Sequence, residues 1–242
     1  MLSDIHGNLA ALEAVLAAGA DRYDELWSLG DIVGYGPRPN ECVAIVRERC
    51  AVSLAGNHDL AACGRVDPAT FSSDAGRAIR WTREVISAET ESYLATLDPA
   101  AERAPIGLYH GSPRDPIWEY VLDPETARQA LAGRPHELVL VGHTHAALAA
   151  RLLEGRLAGG RADAGTAFDL RAGRQTLLNP GSVGQPRDAD SRAAWLTLHL
   201  DDAGRPERAI FERTRYEIAR TQREIVEAGL PEHLADRLSF GM

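Results

Sequence analysis

Residues 138–145 read Leu138-Val139-Leu140-Val141-Gly142-His143-Thr144-His145: an apolar run of strand length stops at a glycine, and two histidines follow, two positions apart. A short continuous apolar run bounded by such a break fits a strand buried on both faces. The same event occurs four more times. Met1-Leu2-Ser3 runs into Asp4-Ile5-His6-Gly7-Asn8, and Glu25-Leu26-Trp27-Ser28-Leu29 into Gly30-Asp31. Ala51-Val52-Ser53-Leu54 leads to Gly56-Asn57-His58-Asp59, and Ile106-Gly107-Leu108-Tyr109 to His110-Gly111. Open α/β sheets bind ligands at the carboxyl ends of their strands. Five strand ends carrying carboxylate, amide and imidazole groups therefore point to one shared site.

Helical patterns separate these strands. Leu9, Leu12, Val15 and Leu16 recur at helical spacing, and 42–49, 72–97 and 124–132 also read as helix, the last with Pro124 near its start, a favoured position. The alternation indicates an α/β fold. Beyond 145 the pattern turns to β, with strands expected at 147–153, 175–178, 193–199 and 207–212. The Gly-, Ala- and Arg-rich stretch 155–165 reads as a flexible hairpin connection. A last helix is expected over 215–228, broken by Pro231 and followed by a short tail. No repeat, heptad run or linker interrupts the chain, so residues 1–242 are expected to form one domain.

Composition narrows the function. The 242 residues are 45% hydrophobic, enough for a sizeable core, and carry a net charge of −9, which provides no basic footprint for nucleic acid or anionic lipid. No apolar stretch approaches the ~20 residues of a membrane span, and the N-terminus resembles no export signal. Cys42, Cys50 and Cys63 form no CxxC pair, as expected of plain thiols in a reducing, cytoplasmic setting. All 26 basic residues are arginine, which removes P-loop and Schiff-base lysine chemistry.

In the strand readings, the two-residue period aims Asp4 with His6, and His143 with His145, at a common face. Taken singly, each motif has an ordinary reading: Gly-Asp a turn, Gly-Asn-His-Asp a loop or helix cap, His110 a structural histidine. Their conjunction is what carries weight, and five of the eight histidines fall within it. His136, His199 and His233 read as structural or surface residues. A mixed carboxylate, imidazole and amide set suits Mn, Fe, Zn or Ni better than Mg or Ca, with little sulfur for a thiolate site. So many ligands favour two ions over one.

The ordered set Asp4-x-His6, Gly30-Asp31, Gly56-Asn57-His58-Asp59, His110 and Gly142-His143-x-His145 resembles the calcineurin-like metallophosphoesterase superfamily. The longer strings Ser3 to Asn8, Gly30 to Pro37 and Asn179-Pro180-Gly181-Ser182-Val183-Gly184 resemble its small prokaryotic phosphodiesterases. The resemblance implies a four-layer α/β/β/α sandwich of two mixed sheets. It implies one ion on Asp4, His6, Asp31 and His145, and a second on Asp31, Asn57, His110 and His143, with Asp31 bridging. Two divalent transition-metal ions are implied, manganese first, with iron, zinc or nickel as alternatives. The catalytic roles fall to Asp31, to Asn57 as a phosphate contact, and to His58 as general acid, while a metal-activated hydroxide attacks phosphorus in line.

Asp59 is expected either to orient His58 or to cap a helix. The Asn179 to Gly184 loop is read as a turn supporting the site. Tyr35, Arg38 and Arg187 are candidate substrate contacts, and loops near 34–40, 60–72 and 111–120 are expected to set selectivity. The strand before Asp4 is short for the family, which raises the expectation that the natural start lies upstream of Met1. The arginine of the protein phosphatases' Gly-Asp-x-Val-Asp-Arg-Gly string has no counterpart at Gly30 to Gly36. The expected activity is therefore hydrolysis of a small phosphodiester, with a nucleotide as a candidate substrate. A phosphomonoesterase or protein phosphatase, and a metal-containing scaffold module, are the alternatives. No membrane partner is expected, and the oligomeric state is not legible.

Overall fold

The computed structural model describes residues 1–153, 155–171 and 175–242. From the N-terminus, α1 (Leu9–Ala18) is followed by β1 (Leu26–Ser28), α2 (Pro39–Arg49), β2 (Cys50–Ser53), α3 (Asn57–Ala62), α4 (Ser73–Val85) and α5 (Ala88–Thr96). Then come β3 (Ala100–Arg103), β4 (Ile106–Tyr109), α6 (Pro124–Leu131), β5 (Leu138–Leu140), β6 (Ala147–Leu153) and β7 (Arg156–Arg161). The chain closes with β8 (Ala167–Asp169), β9 (Thr176–Pro180), β10 (Ala193–Leu200), β11 (Pro206–Thr214), α7 (Ile218–Glu227) and α8 (Glu232–Asp236).

One sheet has the order β3-β4-β5-β9-β6-β7, with β4, β5 and β9 parallel at its centre and antiparallel strands at both ends. The second sheet is assembled through the first residues of the chain. Leu2 bridges β1 in parallel, while Met1 and Leu196 exchange both backbone hydrogen bonds in antiparallel sense. Met1–Leu2 thus join the parallel pair β2-β1 to the antiparallel set β10-β11-β8.

Four layers result. Leu29, Leu54, Leu108, Leu140, Leu178 and Phe211 fill the space between the sheets. α1 and α2 cover the outer face of the second sheet through Leu12, Val15, Val43 and Val46. α6 covers the first sheet through Ala127, Ala130 and Leu131. Each fully buried Leu or Val contributes on the order of 1.5–3 kcal/mol. The expected α/β/β/α sandwich of two mixed sheets is what the chain forms. No helix among the described residues is long and apolar enough to cross a membrane.

Some local readings are corrected. The expected flexible connection at 155–165 contains a regular strand: β7 pairs with β6 from Leu148↔Arg161 to Leu153↔Arg156. Its glycines are tolerated because β7 lies at a sheet edge. The short strands β3 and β8 carry no alternation that marks them, and pairing with β4 and β11 creates them. The tail after Pro231 folds into α8, whose Leu234 and Ala235 pack on Ile225 of α7.

The segment 185–190 lies between β9 and β10 and is held by a buried ion pair. Arg213 of β11 is bonded to Asp188, both side chains being almost fully enclosed, and Asp188 also accepts from the Ala147 amide at 3.1 Å. Arg213→Leu would leave that carboxylate buried without its cation, so a loss of about 3–5 kcal/mol is expected in urea denaturation. A loss under about 1 kcal/mol, the worth of an exposed pair, would show that the bridge does little.

Candidate metal centre

The two sheets present their carboxyl-terminal strand ends along one edge. The second sheet brings Asp4 and His6, Asp31 after β1, and Asn57 and His58 after β2; the first brings His110 after β4 and His143 and His145 after β5. All eight are buried. They form two groups. Ligating atoms of Asp4, His6, Asp31 and His145 lie within 4.8 Å of one another, as do those of Asp31, His110 and His143. Asp31 belongs to both: its Oδ2 is 3.6 Å from His6 Nε2 and 3.5 Å from His110 Nε2. Asn57 Oδ1 lies 3.1 Å from His110 Nε2, which places the amide in the second group.

The backbone achieves this at a cost. Asp4, His6, Asp31, His143 and His145 all have positive φ, between 50° and 66°. Non-glycine residues rarely enter this left-handed region, at roughly 1–2 kcal/mol each, and such strain concentrates at functional sites. Asp4 with His6, and His143 with His145, therefore converge through left-handed turns and not through strand alternation. Gly56 permits a further approach, since a Cβ there would stand 1.9 Å from Asp31 Oδ1.

Neighbouring groups then aim the ligands. His6 Nδ1 lies 3.0 Å from the Val33 carbonyl, His110 Nδ1 2.9 Å from that of Leu29, and His145 Nδ1 2.7 Å from that of Gln185. In each, a proton on Nδ1 leaves the Nε2 lone pair facing the centre, as metal-ligating histidines require. His143 is reversed: its Nδ1 is the nitrogen that faces His110 Nε2, at 3.2 Å. The Asn179 to Gly184 loop is the expected support. Asn179 Nδ2 donates to the Gly142 carbonyl and Thr144 Oγ1, both at 2.7 Å, and Ser182 Oγ donates to the Asp4 carbonyl at 2.7 Å.

Electrostatics fit the group to cations. His6 Nε2 faces His145 Nε2 at 3.0 Å, two lone pairs that repel when both rings are neutral. Burial nonetheless holds His6 and His145 well below the usual histidine range and pushes His143 down to about 2. Burial also raises Asp4 to about 7, and burial and then the Asp59 carboxylate raise Asp31. Neutral imidazoles and enclosed carboxylates around one space suit divalent ions, which relieve both the opposed lone pairs and the isolated negative charge.

The other candidates divide. Asp59 does not reach the His58 ring; it accepts from the Ile32, Val33 and Gly56 amides, and so fixes the Gly30-Asp31 turn to the start of α3. The His58 ring packs against Tyr35 and Phe71, and its buried Nδ1 has no hydrogen-bond partner among the described residues. Tyr35 lies edge-on to His6, with the Arg187 guanidinium 5.7 Å over its ring. Arg187 also donates to Gln185 Oε1 at 2.9 Å, and its buried Nε has no hydrogen-bond partner among the described residues. Arg38 is not a site residue: Glu224 and Glu41 hold it at the surface against α7. His136 beside Glu102 and His233 beside Asp74 lie outside both groups, as does His199 on β10. The orienting carbonyls of Val33, Leu29 and Gln185 could not be read from sequence, because a carbonyl carries no residue-type signal.

Asn179→Ala is expected to weaken divalent-ion affinity about 10–100-fold in a chelator competition, the usual cost of losing a group that orients ligands. Unchanged affinity would show that the Gly142–His145 turn holds its shape unaided.

The calcineurin-like phosphoesterase superfamily domain matches residues 1–203. An uncharacterized protein of Methanocaldococcus jannaschii is 35% identical over 247 aligned positions, covering 100% of this chain and 97% of its own length. The crystal structure of a metallophosphoesterase from Sphaerobacter thermophilus superposes with a TM-score of 0.87 at 42% identity, covering 100% of this chain and 97% of that one. A hypothetical protein from Pyrococcus horikoshii shares the fold, with a TM-score of 0.73 at 20% identity and the same coverage of each chain. The ligand-rich strand ends, the layered sheets and these similarities agree: the chain belongs to the calcineurin-like phosphoesterase superfamily.

Proposed function

We propose that the protein is a dinuclear phosphodiesterase acting on a small phosphodiester. The observation that carries the reading is the position of Asp31 in both ligand groups, its Oδ2 facing His6 on one side and His110 on the other. Asp4, His6, Asp31 and His145 would hold one ion, and Asp31, Asn57, His110 and His143 the second. When bound, such a pair supplies Lewis acidity toward a phosphoryl oxygen and brings the pKa of a water toward neutrality. Oxygen and nitrogen ligands without sulfur suit manganese, with iron, zinc or nickel as alternatives.

The remaining chemistry belongs to the chain. Of the two His58 nitrogens only Nδ1 is both sealed from solvent and unpartnered, which leaves Nε2 to hand a proton to the leaving oxygen. Burial, then the Arg187 charge, hold His58 well below the usual range. A phosphate anion beside the ring opposes both effects and favours its protonation as substrate arrives. Asn57 would fix a phosphoryl oxygen as well as an ion. Arg187 has no carboxylate within ion-pair distance among the described residues, so its charge is free to meet an anionic substrate. It is also the arginine whose charge recurs as an influence on Asp4, His6, Asp31, His58, His143 and His145. One such cation suits a diester monoanion better than a monoester dianion. A soluble small-molecule substrate in a cytoplasmic setting is part of the same proposal.

Metal-stripped protein resupplied with Mn is expected to hydrolyse bis-p-nitrophenyl phosphate faster than p-nitrophenyl phosphate. Preference for the monoester would move the assignment to a phosphatase, and two bound ions with no turnover of either would favour a scaffold. His58→Ala should keep its metal content yet lose ~10²–10⁴-fold in rate; a parallel loss of metal would refute the acid role. Asp31→Ala should fail to retain a metal pair by elemental analysis, and two ions remaining would refute the bridge.

A further inference from the structure

Three of the large apolar side chains left exposed, Trp118, Tyr120 and Leu122, fall within five consecutive residues of the segment between β4 and α6. The segment is not loose. The Ile117 and Trp118 amides both donate to Asp115 Oδ1 at 3.0 Å, the Gly111 amide donates to the Pro116 carbonyl at 2.7 Å, and Ser112 and Arg114 both engage Glu119. Two of its aliphatic members anchor it: Ile117 packs on the core beneath α1 and α2, and Val121 on the core beneath α6, while Leu122 stays exposed with the rings. The aromatic members point out from a fixed backbone, an arrangement that forgoes about 25 cal/mol per Å² of apolar burial.

These rings are continuous with the metal centre. Tyr120 lies flat on His143, centroids 3.8 Å apart and planes 21° from parallel. Trp118 meets Phe71 edge-on at 5.2 Å, and Phe71 meets His58 edge-on at 5.1 Å. Phe71 comes from the segment before α4 and the other two from the segment after β4, so two separate stretches of chain build one aromatic rim beside the centre.

We propose that Phe71, Trp118 and Tyr120 bind a planar heteroaromatic group of the substrate, a nucleobase or a ring of that kind, stacked beside the scissile phosphate. The proposal rests on the phosphoesterase reading and deepens it. Aromatic rings next to a phosphate site are a recurrent platform for bases, because every base has a π-face. An acyl chain would call for a continuous aliphatic groove, whereas here Arg114 and Glu119 interleave with the rings and supply polar edges that a heterocycle can meet. Trp118 is 36% exposed, so truncating it removes rim and leaves the cores intact.

The test is calorimetric titration of the Mn-loaded protein with non-hydrolysable, monoanionic phosphinate analogues, with carbon in place of both ester oxygens, of the 5′-linked methyl phosphodiesters of adenosine and of ribose. The wild type is expected to bind the adenosine analogue about tenfold more tightly, within the range of base stacking on aromatic side chains. Trp118→Ala should remove most of that preference while binding the ribose analogue as before. Trp118→Leu, which keeps apolar bulk without a ring, should behave like Trp118→Ala. Equal affinity for the two ligands, no binding of either, equal loss of both in Trp118→Ala, or full preference retained in Trp118→Leu would each overturn the proposal. Hydrolysis of bis-p-nitrophenyl phosphate, read in parallel, isolates the other premise: its absence from the wild type overturns the phosphoesterase reading, while its presence without a base preference overturns the rim alone.

Discussion

The architecture turns on one buried carboxylate. Asp31 has one oxygen tied to the His58 amide at 2.9 Å and the other aimed between two histidines from different sheets. Enclosing a carboxylate among neutral imidazoles is unfavourable unless a cation joins it. The turn around it is correspondingly elaborate. Gly30 adopts a φ of 95°, Asp31 itself is left-handed, and Asp59 secures the following two amides. Sheet order, helix caps and loop lengths act together to keep this group where water alone cannot satisfy it.

The surrounding ligands show how strain and support are balanced. Five of these residues take left-handed conformations, and the Asn179 to Gln185 loop braces the turns that carry Asp4 and His145, as Asp59 braces that of Asp31. The Val183 and Gly184 amides bond the Ser3 and Asp4 carbonyls, both at 3.0 Å, and the Gln185 carbonyl holds His145. The loop therefore links the first and last ligands in chain order, about 140 residues apart, through backbone atoms. Support of this kind fixes the directions of the candidate ligands through the fold itself.

Around the centre, the proposed recognition is divided between charge and aromatic surface. Arg187 stands over Tyr35 on one side of His58, and Phe71 with Trp118 on another. An acidic protein with a net charge of −9 gains little from long-range attraction of an anion. In the proposed function, the Arg187 guanidinium, together with ions in the ligand groups, would reverse that field at short range.

The sequence by itself determined the chemistry and the architecture class. An apolar run that ends in Gly followed by Asp, Asn or His marks both a buried strand and a group that belongs at its carboxyl end, because strand burial and ligand exposure impose opposite residue types on adjacent positions. Five such junctions singled out residues that the fold brings together in two groups able to hold a metal ion, and helix periodicity placed α1, α2 and α6. Other features had no local signal. Met1–Leu2 as the seam of a sheet, β3 and β8 as strands, and 155–161 as half of a hairpin exist only because a partner strand supplies their hydrogen bonds. Tyr35, Arg38 and Arg187 read alike as loop residues, and only tertiary contact separated them: Glu224 claims Arg38, while among the described residues no carboxylate pairs with Arg187. The orienting carbonyls are likewise decided by the fold, since every residue carries one and only packing determines which imidazole it meets.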